Sequence, residues 1–246
     1  MFTDSELDAL PKVHGFRQRG MDMTRLETFT DAAFAFAVTM LVVGGGDAIP
    51  ANFDEMIGAM KQVPAFAASF ANIMLFWYAH HTWSRRFGLD DVMSAIFSFM
   101  LIFVVLIYVY PLKAIYSGAL QFFTNGLLES YFVLSSIDDL RVMFVIFGCG
   151  YASLSLVIVL LNRHALRVAD ELRLSEPERW ATVTQIQQWL ISTAVPLVSI
   201  VLALTMPGPW VVLAGLIYGS FGLLMPGHHF LRERLWAARQ SASESD

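Results

Sequence analysis

The chain contains six apolar stretches, each about as long as a helix that crosses a membrane. A hydrocarbon core about 30 Å thick requires roughly 20 residues of helix. This pattern predicts an all-α polytopic membrane protein with six transmembrane helices. The stretches cover residues 25–43, 63–83, 92–112, 140–161, 186–206 and 210–231.

Composition supports this class of protein. Hydrophobic residues make up 56% of the chain and charged residues only 15%, whereas soluble domains carry about 25% charged residues. We expect one transmembrane domain over 1–246 with polar tails at 1–24 and 233–246, a lipid bilayer as its surroundings, and no nucleic-acid partner, because the chain lacks a basic patch.

The first stretch could instead be the apolar part of a cleaved signal peptide, with GGGDAIPA as its cleavage region. The charges of Arg25, Glu27 and Asp31 at its start favour a retained span. The mixed aromatic and polar segment 118–138 is predicted to be an interfacial helix or a loop beside a pore. Residues 170–179 read as a solvated loop, in which Ser175 and Glu178 fit a capping box.

Lysine and arginine predict the orientation, because they accumulate in cytoplasmic loops. With the N-terminus inside, thirteen of these residues fall on the inner side. Three, Lys61, Lys113 and Arg141, fall outside. We therefore expect a multi-pass protein of the cell membrane with both termini in the cytoplasm.

Asp31 is the charge in the first stretch that requires an explanation. A carboxylate within a bilayer helix costs roughly 2.5–3.5 kcal/mol on insertion scales, so it normally faces a partner, a water path or a bundle interior. Because the first two spans run antiparallel, Trp77 and His80 should reach the same depth as Arg25 and Asp31, forming a polar cluster. This cluster could be a structural clamp or could contact ions.

The first stretch also carries a bulky stripe. At helical spacing, Phe36, Thr39, Met40 and Val43 share one side, and Asp31 lies about 140° around the helix from Phe36. Small residues elsewhere permit close packing of neighbouring helices. Such a stripe could line a pore or could make ordinary contacts between helices.

The motif Arg25-x-x-x-Phe29-Thr30-Asp31, followed by Trp77-x-x-His80, resembles the transmembrane protein 175 family of potassium channels. The family signature is Arg-x-x-x-Phe-Ser-Asp. In this chain Thr30 stands in place of the serine and keeps the hydroxyl group. The similarity is strong over 25–43 and weaker over 76–91.

This resemblance implies a homotetramer whose first helices surround a pore, with potassium as the permeant ion and no cofactor. The implied apolar constriction is formed by Phe36, Met40 and Val43, with Thr39 beside them. The resemblance further implies that Arg25, Phe29 and Asp31 tie the pore helix to its subunit. The chain departs from the family pattern at two places: Phe36 stands where the family usually has Ile or Leu, and the third span lacks an Asn near its start.

A pore of this kind should select potassium only modestly, because a cation loses part of its hydration shell in an apolar ring. The sequence has neither a TVGYG-like filter nor an Arg-rich helix, which favours a leak-type channel without steep voltage dependence.

Two other classes of function stay open at this point. A proton- or cation-coupled transporter could use Asp31 or His80 as a relay, and a non-conducting scaffold would require no site. An enzyme is not expected, because Asp31 is the only obvious acid within an apolar span. The histidine pairs 80–81 and 228–229 lack the spacing of a metal site, so no metal ligands are predicted beyond transient potassium contacts.

Overall fold

The computed structural model describes residues 4–43, 50–128, 130 and 132–243. The described chain is mostly helical. Its elements, in chain order, are α1 (Asp4–Ala9), β1 (Lys12–Val13), β2 (Phe16–Arg17), α2 (Arg25–Val43), α3 (Phe53–Lys61), α4 (Val63–Phe87), α5 (Val92–Phe123), α6 (Ile137–Arg167), α7 (Glu176–Thr205), α8 (Leu213–Leu216) and α9 (Phe221–Ser243). Short 3₁₀ turns at Gly208–Val212 and Ile217–Ser220 flank α8.

The bundle is built around α6, which packs along α5 and α7 and also contacts α4. The second helix, α2, packs against α4 and α5, whereas α9 packs on α7. Aromatic and branched side chains fill the interior, because most helices bury one face and leave the other exposed. Its largest fully buried members include Tyr108, Phe34, Phe76, Phe87, Leu154 and Ile158.

The small β-hairpin and the short helices α1 and α3 are elements that the sequence analysis did not predict. The strands of the hairpin pair antiparallel, with Lys12 opposite Arg17 and Val13 opposite Phe16. The turn between them uses two residues with positive φ, His14 and Gly15. The hairpin carries Phe16 into the bundle, where its ring meets that of Phe87 edge-on at 5.5 Å.

Four helical segments are long and apolar enough to cross a membrane: Val92–Phe123, Ile137–Arg167, Glu176–Thr205 and Gly208–Ala242. The other two predicted spans lie in α2 and α4, which are helices of 19 and 25 residues. The membrane-helix class is therefore supported, and the count of six stays a prediction.

Two local predictions need correction. The helix alternative for segment 118–138 is wrong, because α5 continues through Pro111 to Phe123. The described residues from 124 to 136 form a turn-rich connection to α6, as the loop alternative predicted, and its position beside a pore stays a prediction. Residues 170–179 are not simply a solvated loop, because Leu172, Leu174 and Glu178 are buried. The capping box of Ser175 and Glu178 is confirmed at the start of α7.

Candidate functional site

Helix α2 has a buried face and an exposed face along its length. It starts at Arg25, where the hydroxyl oxygen of Thr24 accepts a hydrogen bond from the Glu27 amide at 3.0 Å. Its buried side chains recur at helical spacing, which fits the contacts of this helix with α4 and α5. They are Leu26, Glu27, Thr30, Phe34, Ala37 and Leu41.

The opposite face of α2 is apolar and uncovered within the single chain. Phe36 is 57% exposed and Phe29 is equally so, and Thr39 is also exposed. The Thr39 hydroxyl donates to the carbonyl of Ala35 at 3.0 Å, so it does not leave an unpaired donor on this face. Exposed aromatic rings on a helix that is otherwise well packed mark a surface for lipid or for another protein chain.

Met40 lies at the edge of this exposed face. Its side chain is half-buried and packs against the main core. Val43 ends α2, and its side chain is outside the described residues. The most exposed part of the predicted stripe is therefore Phe36 with Thr39.

Asp31 lies on the flank of α2, between the two faces, and is half-buried. The indole Nε1–H of Trp77 on α4 donates to Asp31 Oδ1 at 2.8 Å. A hydrogen bond to an ionised carboxylate is shorter and stronger than one between neutral groups. This contact joins α2 to α4 and lowers the cost of placing the charge there.

His80 is buried and directs its Nε2 to the Ser98 hydroxyl on α5 at 2.9 Å. The predicted partnership between His80 and Asp31 is thus replaced by a contact with α5. The reason is geometric: His80 lies on the buried face of α4 toward α5, whereas Trp77 lies toward α2.

Glu27 is a member of the polar cluster that the sequence reasoning did not assign. Its side chain is 2% exposed, and its Oε1 lies 3.5 Å from His81 Nδ1 and 3.6 Å from Arg85 Nε. The His81 ring stacks on Trp77 with centroids 5.2 Å apart. The spacing of 77, 81 and 85 places these side chains on one side of α4, a helical signal that could have revealed the group.

The remaining motif residues differ in their surroundings. Thr30 is buried, and its hydroxyl donates to the Leu26 carbonyl at 2.8 Å. The Phe29 ring meets Phe99 of α5 edge-on at 6.0 Å. Arg25 is exposed, and within the described ranges it makes no ion pair. The described residues also contain no group of three or more His, Cys, Asp or Glu that could hold a metal ion.

Comparison with known proteins identifies the family. The family described as "Endosomal/lysosomal potassium channel TMEM175" matches residues 25–111. A relative from Marivirga tractuosa named "Potassium channel" is 34% identical over 215 residues, which cover 82% of this chain and 85% of the relative. The chain belongs to the TMEM175 family.

The fold agrees with this TMEM175 assignment. The crystal structure of a variant of the potassium channel MtTMEM175, in complex with a nanobody fusion protein, superposes with a TM-score of 0.78. Sequence identity is 29%, and the match covers 93% of this chain and 100% of the other. The resemblance inferred from Arg25, Phe29 and Asp31 is confirmed, and the matched range holds α2, α4 and the first half of α5.

Proposed function

We propose that this chain is a potassium channel in which α2 from each of four subunits lines a central pore. Family membership supports the ion and the class of protein. The observation that carries the location of the pore is the exposed apolar face of α2, opposite a face that is fully packed into the subunit. A second copy of the chain on this face would cover Phe29 and part of Phe36.

The proposed constriction is centred on Phe36, with Thr39 beside it and Met40 and Val43 toward the end of the helix. An apolar ring resists wetting, and a cation that crosses it must lose part of its hydration shell. The loss costs less for potassium than for the smaller, more strongly hydrated sodium ion. We therefore propose modest selectivity and leak-type conduction without a voltage sensor.

We further propose six membrane spans per subunit, formed by α2, α4 and the four segments named above, with both termini in the cytoplasm. The basic residues Arg17, Arg19, Arg85 and Arg86 support this orientation, because they lie together at the end of the bundle that holds the N-terminus. A homotetramer in the cell membrane completes the proposal.

The polar cluster at the start of α2 is proposed to act as a clamp rather than as an ion contact. Asp31 is on the flank of α2 and is engaged by Trp77, and Glu27 is on the buried face. Neither carboxylate therefore lies in the middle of the exposed stripe. The clamp fixes the rotation of α2 about its axis and so holds Phe36 outward.

The geometry of α2 favours a channel over the transporter alternative. Secondary transporters bind their ions where helices are broken near the bilayer midplane, whereas α2 is continuous from Arg25 to Val43. Both proposed relay residues are held by neutral partners, Asp31 by Trp77 and His80 by Ser98.

The proposal is tested by ion flux into liposomes that contain the purified chain. We expect potassium uptake that follows only the potassium gradient, and we expect Phe36→Ala to change conductance or the ratio of potassium to sodium flux. Phe230→Ala is the matched control, because this α9 side chain is 55% exposed, close to the 57% of Phe36. Equal flux and selectivity in all three proteins would remove Phe36 from the pore, and uphill uptake driven by protons would identify a transporter.

A further inference from the structure

The side chain of Arg232, between α7 and α9, has partners in the described part of the chain for only some of its hydrogen-bond donors. The guanidinium carbon of Arg232 lies 3.6 Å from the centroid of the Trp180 ring, and its Nε donates to the Thr184 hydroxyl at 3.0 Å. Its Nη2 is buried and has no hydrogen-bond partner among the described residues. A buried donor on a charged group without an acceptor is costly, so this atom is suited to an acceptor from outside the chain.

His228 leaves a second polar atom in the same place. It precedes Arg232 by one helical turn on α9, so the two side chains share a face. Its Nε2 lies 3.2 Å from the side-chain oxygen Oε1 of Gln187, whereas its Nδ1 is buried and has no partner within the described ranges. With Nε2 as the donor, the neutral ring offers Nδ1 as an acceptor for a hydroxyl group.

Nearby carboxylates are engaged elsewhere. Glu176 forms an ion pair with Arg239 at 2.8 Å, and Glu233 pairs with His229 at 3.1 Å. Within the part of the chain that the structure describes, Arg232 has no ion pair. The local charge is therefore positive.

The surroundings of this cluster are typical of a membrane interface. Arg232 directly follows the last apolar stretch, and Trp180 packs on Trp236 with ring centroids 5.1 Å apart. Tryptophan is enriched where helices leave the hydrocarbon core. On α9, Leu231 and Leu235 are 55% and 47% exposed, so an apolar surface adjoins the positive charge.

We propose that the cluster of Arg232, His228, Trp180 and Thr184 binds the headgroup of an anionic phospholipid. The phosphate would accept from Arg232 Nη2, a hydroxyl of a glycerol headgroup would donate to His228 Nδ1, and the acyl chains would lie along the exposed leucines of α9. This combination of a charge, an acceptor and an apolar surface fits a lipid better than free phosphate. The proposal requires a membrane protein but does not depend on where the pore lies.

Native mass spectrometry of the whole protein tests the site. The protein is exchanged into mixed micelles with equal phosphatidylglycerol and phosphatidylcholine, and retained lipid is counted. We expect the native chain to retain phosphatidylglycerol preferentially and Arg232→Gln to lower this occupancy about tenfold, because a charge-assisted contact is lost. Arg234→Gln removes the same charge from an exposed position on the same helix and should change occupancy by less than about twofold.

Equal retention by the native chain and by Arg232→Gln would overturn the proposal. Binding of inorganic phosphate as tightly as phosphatidylglycerol would also overturn it, because the acyl chains would then contribute nothing and the site would be one for a free anion. If Arg232→Gln does not fold, quenching of tryptophan fluorescence decides the question. Brominated phosphatidylglycerol should quench the native protein more than brominated phosphatidylcholine, and Trp180→Phe should reduce the difference. Equal quenching of the native protein by both lipids would refute the site.

Discussion

The two ends of the helical bundle are held together in different ways. At the end that holds the N-terminus, Arg19 and Glu178 form a buried ion pair, with Nη2 and Oε2 3.0 Å apart and side chains 0% and 1% exposed. The chain at Gly20 also crosses α4 closely, and its amide donates to the Arg85 carbonyl at 3.0 Å. At the opposite end, α3 has no buried residue, and Phe53 is 69% exposed.

This difference distinguishes contacts that are complete within one subunit from apolar surfaces that one subunit leaves exposed. Contacts through Asp31 and Glu27 set the start and the rotation of α2 inside one chain. The apolar side chains of α3 and the exposed face of α2 around Phe36 are not covered by other described parts of that chain. We infer that lipid or further subunits complete the second group, whereas the first group is complete without them.

Removing the ion pair of Arg19 and Glu178 should give the largest loss of stability and so tests the contrast between the two ends most directly. Glu178→Gln leaves the buried Arg19 guanidinium without its counter-charge, and loss of one partner of a buried pair costs roughly 3–5 kcal/mol. The free energy of unfolding, measured by denaturant titration in detergent, should fall by this amount.

The matched control lies at the opposite end. Glu55 is exposed and accepts from the Ala51 amide at 2.8 Å, so Glu55→Gln should change the free energy of unfolding by less than about 1 kcal/mol. Equal effects at the two sites would contradict the contrast between the two ends.

Replacing a glycine by alanine at each end of the bundle should change the free energy of unfolding in opposite directions. A Cβ at Gly20 would lie 2.4 Å from the Ser84 carbonyl oxygen, whereas one at Gly58 in α3 would meet no atom within 4 Å. Gly20→Ala should therefore lower the free energy of unfolding by about 2 kcal/mol through overpacking. Gly58→Ala should raise it by up to about 1 kcal/mol, because alanine favours the helix. The same denaturant titration measures both, and a stabilising Gly20→Ala would disprove the close crossing.

The Trp77 contact tests whether the polar cluster acts as a clamp. Trp77→Phe removes the donor to Asp31 and keeps most of the ring, so we expect a loss of about 1–2 kcal/mol in unfolding free energy and less assembled protein on chemical crosslinking. Trp210→Phe, at an exposed position near the opposite end, should change neither quantity. Normal assembly and stability of Trp77→Phe would leave the clamp without support.

Local features of this fold, such as helix bounds and caps, can be predicted from the sequence. Contacts between residues far apart in the chain cannot. The structure gives α2 the predicted bounds of 25–43, because a capping threonine precedes an uninterrupted apolar helix. The capping box of Ser175 and Glu178 was found from spacing within four residues. The second role of Glu178, as partner of Arg19, joins residues 159 positions apart, and no local pattern specifies such a pair.

The candidate site was predictable to a similar degree. Antiparallel packing of α2 and α4 is enough to bring Trp77 to the depth of Asp31, and the structure places these groups in contact. Helix direction alone does not specify which side of α4 each residue occupies. For that reason His80 was assigned to Asp31 rather than to Ser98, and the contact of His81 with Glu27 was missed.

Acidification should reduce the stability that Glu178 contributes at the N-terminal end of the bundle. This is the smallest of the expected effects on the free energy of unfolding. Burial raises the pKa of Glu178, but hydrogen bonds from Arg19 and from the amides of Ser175 and Arg17 outweigh it, so this pKa lies below its ordinary value. The folded state therefore binds the proton less tightly than the unfolded state. The contribution of Glu178 to stability is complete above the ordinary glutamate pKa of about 4.3 and is lost as the pH falls through the lower folded value.

In denaturant titrations from pH 7 downward, the stability difference between the native chain and Glu178→Gln should narrow below about pH 4. The corresponding difference for Glu55→Gln should stay small throughout, and a constant gap for Glu178→Gln would show that its carboxylate is not the group that matters.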